Sequence, residues 1–335
     1  VDICSYSLRK PEIIAKKLKE RAAELGFCAL GIAPALLDRD AVQRLASRPR
    51  PPFVPWEPEL RCRASQWLPG AKSVLAGAVA YGGRYGVKLG RGQGYVSPFA
   101  LAPDYHSLVG DKLEGLGRYL TELEPRAKFT VQVDSGPGCE RLYATAAGVG
   151  WQGKNNFIIV PGNGSLVWLG LITTDLELPP DAPLASQCGD CQRCLAACPT
   201  KAYTGPNAFE PGQCMAYWAA SKGRLTAQQA QLLSGHRIIY GCDYCQLACP
   251  HNPPAKGEGN MPDLAEIMTM SAGQFVALFK ESAAGWRGRN LLRRNAVLAS
   301  QGKPEYRPVL ETLAQGRGMV AETARWVLEG MPGDE

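Results

Sequence analysis

No apolar run in this 335-residue chain approaches the ~20 residues that a membrane-spanning helix needs. Its first ten residues, VDICSYSLRK, hold no apolar signal core, and a cytoplasmic protein with no membrane partner is expected. Histidine is scarce: His106, His236 and His251 are the only three, and each is first read as a structural residue. Charge of one sign is not in large excess either. The 37 Lys+Arg against 31 Asp+Glu leave +6, which is compatible with an acidic partner without establishing one. A hydrophobic fraction of 45% with 20% charged residues excludes wholesale disorder and a fibrous repeat. The length suits two domains, or one with a large insertion, around a substantial core.

Cysteine is what the chain has in unusual supply. Eight of its 12 cysteines fall between Cys188 and Cys249, a clustering that points to metal in a cytosolic protein. Cys188, Cys191, Cys194 and Cys198 stand as C-GD-C-QR-C-LAA-C-P, the spacing of bacterial ferredoxins. In that pattern three thiolates hold one 4Fe-4S cube and the fourth reaches a second. Cys242, Cys245 and Cys249 form a second run, C-DY-C-QLA-C-P, that lacks its first cysteine; Cys214, 28 positions upstream of Cys242, is the natural substitute. The expected sets are Cys188, Cys191, Cys194 and Cys249 for one cluster, and Cys198, Cys214, Cys242 and Cys245 for the other. Two structural zinc sites are the alternative, although zinc does not require this spacing. The isolated Cys4, Cys28, Cys62 and Cys139 read as buried or incidental thiols, with Cys139 left open because it lies near Asp134.

The pattern predicts an α+β fold in three parts: residues 1–180 as a mixed α/β domain, 181–260 as a ferredoxin-like double-cluster domain, and 261–335 as a HEAT-like helical tail. In the first part, Ile13, Ile14, Leu18, Ala22 and Leu25 mark one helix, closed by Gly26 before a strand in FCALGIA. A helix near 41–46, a proline-rich loop over 49–58, a core strand over 71–81 and a glycine-rich loop follow. Next come a helix over 104–122, a strand ending at Asp134, a helix over 139–148, and the strands FIIV and SLVWLGLITTD around a PGNG turn. The tail reads as helices near 271–282, 290–300, 305–315 and 319–329, without a clear repeat.

Two such clusters move single electrons but do not say what is reduced, and nearly 190 residues precede them. Asp134 ends a strand before Gly136-Pro137, where a turn would hold its carboxyl at the strand tip, as a proton donor if shielded or as a helix N-cap. The turns GWQGKNN and PGNGS admit close backbone approach to a ligand, although hairpins need the same residues.

With LPGAKSV (68–74), DYH (104–106), D-S-G-P-x-x-E-R (134–141), GVGWQGKNN (148–156), CGDCQRCLAACPT (188–200) and YGCDYCQLACPHN (240–252), the sequence resembles the epoxyqueuosine reductase family. The resemblance implies a base-off cobalamin next to one cluster, electrons delivered through both clusters, and reduction of an epoxide in tRNA to an alkene with loss of water. It implies Asp134 as proton donor and cofactor neighbour, and cobalamin contacts from Arg61, Ser97, Ile158, Leu169 and Ser221. It also implies the tRNA anticodon region with its wobble nucleotide as substrate, a low-potential donor such as a ferredoxin or flavodoxin, and a monomer. Two segments depart from the family pattern: SPFALAP precedes Asp104, and Ser135 follows Asp134. They leave open a related corrinoid reductase for another epoxide or a halogenated compound, while a plain electron-transfer module would bind no cobalamin. In WRGRNLLRRN, Arg287, Arg289, Arg293 and Arg294, followed by Lys303 and Arg307, offer phosphate contacts or a solvated helix face.

Overall fold

The computed structural model describes residues 9–50, 53, 57–81, 89–101, 103–254 and 261–330. Cys4, the prolines at 51, 52 and 55 and the glycines at 82, 83 and 86 lie outside the described residues. The chain forms two compact units, Val1–Tyr81 with Tyr105–Cys191, and Gly82–Asp104 with Gln192–Glu335.

The first unit is built on a four-stranded antiparallel sheet in the order Ala29–Pro34, Ser73–Ala80, Val167–Thr174, Phe129–Gln132. The Ser73–Ala80 strand is buried along seven of its eight residues, as an unbroken apolar run with both faces covered requires. Val74, Ala76, Ala78 and Leu171 face a core shared with Leu142, Tyr143 and Ala144 of the helix Glu140–Ala146. On the sheet, Gly77 stands opposite Gly170. A Cβ on Gly77 would lie 2.6 Å from the Phe27 ring, and one on Gly170 2.6 Å from Leu113 Cδ1 of the helix Tyr105–Leu123, so the missing side chains are what lets that layer close on the sheet.

The helix Lys10–Glu24 buries Ile14, Ala15, Leu18 and Ala22. Ile13, expected on that stripe, is 41% exposed, because Ala15 rather than Ile13 completes the row. The helix ends in a Schellman turn, with Phe27 N–H donating to Ala22 O and Gly26 N–H to Ala23 O, Gly26 taking φ +85°. The expected FIIV strand pairs differently from the reading around PGNG. Ile158–Ile159 pairs antiparallel with Trp151–Gln152, and only Val160 bridges to Gly164 across the turn.

In the second unit each cluster motif carries one short helix, Arg193–Ala196 and Tyr244–Leu247, and the two pack together. The strand Ile238–Tyr240 runs parallel to Tyr95–Val96 and leads directly into Cys242. The tail contains the helices Leu264–Thr269, Ala272–Phe279, Arg289–Ala299, Arg307–Ala314 and Met319–Leu328. Leu264–Thr269, with Asp263 accepting from the N–H groups of Ala265 and Glu266, is too short for its periodicity to show in sequence. Arg289–Ala299 is the hub; it packs on Leu264–Thr269, Ala227–Gly235, Ile238–Tyr240 and Met319–Leu328.

Candidate functional site

Asp134 lies two residues beyond the edge strand Phe129–Gln132 and takes φ +56°, a left-handed conformation that a non-glycine residue holds only when its surroundings fix it. The fixing is visible. The Gln132 side chain folds over the turn, its Oε1 accepting from Gly138 N–H at 3.1 Å and its Nε2 donating to Glu140 Oε1 at 3.1 Å. A Cβ on Gly136 would lie 2.5 Å from Gln132 Cβ, and one on Gly138 2.3 Å from the Trp67 ring. The D-S-G-P-G turn is therefore pressed against Gln132 and Trp67, with glycine required at both contacts.

Asp134 is not the helix cap; that position is Cys139, whose side chain makes no capping bond. Instead Tyr105 Oη donates to Asp134 Oδ2 at 2.7 Å, and His106 Nε2 lies 3.7 Å from the same oxygen. The Tyr105 ring stacks on His106, with centroids 4.3 Å apart, and lies nearly parallel to Trp168 at 5.9 Å. The Asp134 side chain is 67% exposed, so the shielding expected of a proton donor is not supplied by this unit. Glu140, partly buried beneath the turn, is held above the usual carboxylate range, first by desolvation and then by the charge of Asp134. Tyr105, His106 and Glu140 carry no role in the sequence alone: 29 residues separate Tyr105 from Asp134, and only the fold brings the DYH and D-S-G-P segments together.

Of the expected cobalamin contacts, Arg61, Ile158 and Leu169 belong to the first unit, with Asp134, while Ser97 and Ser221 belong to the second. Ile158 lies in the core that includes Cys139 and Tyr143, and Leu169 packs against it. Arg61 is 8% exposed, and among the described residues its guanidinium has no hydrogen bond or ion pair, although it lies in the field of Glu140. A nearly buried fork of donors without acceptors fits a contact to an added group that carries acceptor oxygens. Cys62 and Cys139 are buried core thiols; burial pushes Cys62 up to about 11, which leaves it unreactive.

In the second unit, Cys198, Cys214, Cys242 and Cys245 lie close enough to act on one another. Burial raises the thiols of Cys214, Cys242 and Cys245, and the neighbouring thiols raise them further. Four ionised thiolates in this space need compensating positive charge, which an iron-sulfur core supplies. Their sulfurs already receive donors. Ala202 N–H reaches Cys198 Sγ at 3.4 Å, the N–H groups of Ala216 and Tyr217 reach Cys214, and that of Tyr244 reaches Cys242. Asp243, 2% exposed between two of these cysteines, accepts from Tyr95 Oη at 2.6 Å and from Gln246 Nε2 at 2.9 Å, which ties the C-x2-C turn to the Tyr95–Val96 strand. Among the described residues no three His, Cys, Asp or Glu side chains converge as a single metal ion would require. Of the first set, Cys188 and Cys191 share a turn closed by Cys191 N–H to Cys188 O at 3.1 Å, while Cys194 and Cys249 stand at or just after the two packed short helices.

The arginines of WRGRNLLRRN have definite partners. Arg287 Nε donates to Ala220 O at 2.7 Å, Arg293 Nε to Met268 O at 2.7 Å, and Arg289 Nη1 to Met270 O at 3.5 Å. Arg294, 3% exposed, donates to the carbonyls of Trp218, Ser221 and Gly223, and Asn295 Nδ2 to those of Ala219 and Ile239 at 2.8 and 2.7 Å. These side chains close the C-terminal end of the helix Met215–Ala220, whose first turn follows Cys214. Lys303 donates to Ala299 O, and Arg307 pairs with Glu311 at 2.9 Å. The expected phosphate-binding face is thus engaged first in helix capping.

Comparison with known proteins fits this geometry. Residues 187–252 match the family model described as a 4Fe-4S double cluster binding domain, and residues 61–135 match "Epoxyqueuosine reductase QueG, DUF1730". The chain is 32% identical over 332 residues to an epoxyqueuosine reductase of Bacillus cereus, covering 92% of this chain and 87% of the relative. It is 37% identical over 258 residues to that of Gloeobacter violaceus, covering 76% and 81%. A crystal structure of epoxyqueuosine reductase with an epoxyqueuosine-modified tRNA-Tyr stem loop superposes with a TM-score of 0.88 at 28% identity, over 94% of this chain and 89% of the other. The Streptococcus thermophilus enzyme gives 0.83 at 27%, over 96% and 91%. The double-cluster motif, the turn that bears Asp134 and the relatives agree: the chain is an iron-sulfur reductase that belongs to the epoxyqueuosine reductase family.

Proposed function

We propose that this protein reduces epoxyqueuosine to queuosine in the anticodon region of tRNA, at the wobble nucleotide. The observation that carries the reading is the exposed Asp134 carboxyl, held by Tyr105 beside His106, in a chain that also holds eight cluster cysteines. Removing the epoxide oxygen consumes two electrons and two protons and releases one water, leaving a carbon–carbon double bond. Cys188, Cys191, Cys194 and Cys249 would hold one 4Fe-4S cluster and Cys198, Cys214, Cys242 and Cys245 the other, and the two would supply single-electron transfer from a low-potential donor such as a ferredoxin or flavodoxin.

Arg61, Ser97, Asp134, Ile158, Leu169 and Ser221 would hold a cobalamin, which would supply low-valent metal chemistry for removing the epoxide oxygen. The remaining chemistry belongs to side chains of the chain itself. Asp134 Oδ2 accepts from Tyr105, which leaves Oδ1 as the oxygen that would pass a proton to the departing oxygen. His106, 3.7 Å away, returns a proton to the carboxylate. In this reading residues 1–180 are the cobalamin-binding domain, 181–260 the cluster domain and 261–335 a HEAT-like tail, and the enzyme works as a cytoplasmic monomer. The test is anaerobic turnover of epoxyqueuosine-containing tRNA by the reconstituted protein with and without added cobalamin, followed by mass spectrometry of the nucleosides. Loss of one oxygen only with cobalamin supports the assignment; no turnover by protein with intact clusters and bound cobalamin overturns it.

A further inference from the structure

Lys154 stands at the tip of the hairpin Trp151–Gln152/Ile158–Ile159, inside the GWQGKNN segment, on a base that has little freedom to move. Gly153 N–H donates to Phe157 O and Asn156 N–H to Gly153 O, both at 2.8 Å, and the side chain of Asn155, 2% exposed, accepts from Phe157 N–H at 3.2 Å. Asn156, at φ +67°, is held from two directions: Arg48 Nη1 donates to its Oδ1 at 3.3 Å, and Arg141 Nη1 to its backbone O at 3.0 Å. A Cβ on Gly153 would lie 2.7 Å from Asn155 Oδ1, so the tip admits no bulk there. From this base the half-buried Lys154 donates through Nζ to Gly189 O at 2.6 Å, 35 positions along the chain. Gly189 lies between Cys188 and Cys191, in the turn that Cys191 N–H closes on Cys188 O. Among the described residues Lys154 has no carboxylate partner, Asp190 of the same turn included. Its charge is therefore set on the cysteine turn without an acidic group to offset it.

Reduction adds one negative charge to an iron-sulfur cluster, so a fixed positive charge beside it favours the reduced state, by an amount that solvent and salt screen where the charge is only half-buried. We propose that Lys154 is a positioning residue for the cluster held by Cys188 and Cys191: its bond to Gly189 O fixes the first C-x2-C turn, and its ammonium holds that cluster's potential above the value that the rest of the chain would set. The proposal rests on the assignment of Cys188 and Cys191 to one cluster. It adds that the GKNN hairpin acts on that cluster, and that the cluster on Cys198, Cys214, Cys242 and Cys245 is not adjusted by it. Hairpin and turn both belong to the first unit, so the contact is part of that unit's own fold.

The experiment is an EPR-monitored redox titration of the reconstituted full-length protein, comparing wild type with Lys154→Met and Lys154→Arg. Met keeps the length of the side chain and removes both the donor and the charge; Arg keeps both. The expected result is one potential lowered in Lys154→Met by about three- to tenfold in its one-electron reduction equilibrium, or about 28 to 59 mV for n = 1, with the other unmoved and Arg close to wild type. The difference between wild type and Met should shrink as KCl rises from about 0.05 M to about 1 M, which a change of turn geometry alone would not do. Cys191→Ala identifies the signal: it should abolish the one whose potential Met lowers. If Lys154→Met fails to retain that cluster, Lys154→Gln, which keeps a side-chain N–H donor without the charge, is titrated in its place and should shift the same potential in the same direction. Both potentials unchanged, a shift confined to the signal that survives Cys191→Ala, or a shift that Arg does not reverse and salt does not reduce overturns the proposal. Both signals intact in Cys191→Ala would show instead that the cysteine assignment beneath it is wrong.

Discussion

Tyr105 Oη and Asp134 Oδ2 are 2.7 Å apart, joining the first turn of the helix Tyr105–Leu123 to a turn 29 residues later. The bond selects one orientation of a carboxyl that is otherwise 67% exposed. Tyr105→Phe keeps the ring between His106 and Trp168 and removes the bond, so single-turnover reduction should slow by about tenfold while the thermal midpoint stays within a degree or two. Rapid-quench analysis of the nucleoside product checks it. An unchanged rate would show that Tyr105 does not orient Asp134.

Glu140 gives stability a pH dependence of known sign. Burial raises its folded pKa above the ordinary glutamate value, with Asp134 adding to the effect. Between those two values the folded protein holds a proton that the unfolded chain has released. Its contribution is thus full below the ordinary range and is lost as pH rises through the folded pKa. Glu140→Gln should flatten that fall. Thermal midpoints of the two proteins from about pH 4 to about pH 7 should converge at the acid end and separate, with Gln higher, towards neutrality.

Gly31 sits where the strand Ala29–Pro34 meets the end of the helix Glu140–Ala146, and a Cβ there would lie 1.9 Å from Ala147 O. A backbone carbonyl cannot turn aside as a side chain can. Gly31→Ala should destabilise the first unit by about 1–3 kcal/mol, read from chemical denaturation, and should loosen the helix that follows the Asp134 turn.

Asn295 is fully buried and donates to Ala219 O and Ile239 O, on the two segments that carry Cys214 and Cys242. Asn295→Leu matches its size but leaves two buried carbonyls without donors, a cost of about 2–4 kcal/mol. On the proposed grouping, the expected outcome is faster loss of iron to a chelator, first from the Cys198/Cys214/Cys242/Cys245 cluster, two of whose ligands flank those segments. Equal loss from both clusters would contradict it.

The double-cluster domain was legible because thiolate ligation imposes spacing on the sequence itself, in Cys188 to Cys198 and Cys242 to Cys249. The long elements were legible for a similar reason: Ile14, Leu18 and Ala22, or the unbroken SVLAGAVA, carry one period each. What escaped depends on chain segments that meet only in three dimensions. Gln132 folding over Gly138, and Arg294 and Asn295 closing the helix Met215–Ala220, leave no local mark. In the sequence Arg287 to Arg294 read equally well as a phosphate-binding face, since a guanidinium suits a carbonyl and a phosphate alike.

The central claim is that Asp134 delivers the proton that lets the epoxide oxygen leave, and replacing its acidic oxygen tests this most directly. Reconstituted Asp134→Asn should retain both clusters by EPR and iron content, bind epoxyqueuosine-containing tRNA as the wild type does, and form queuosine about 10²–10⁴-fold more slowly in a single turnover. A rate within twofold of the wild type, with clusters and cobalamin in place, would show that the proton comes from elsewhere.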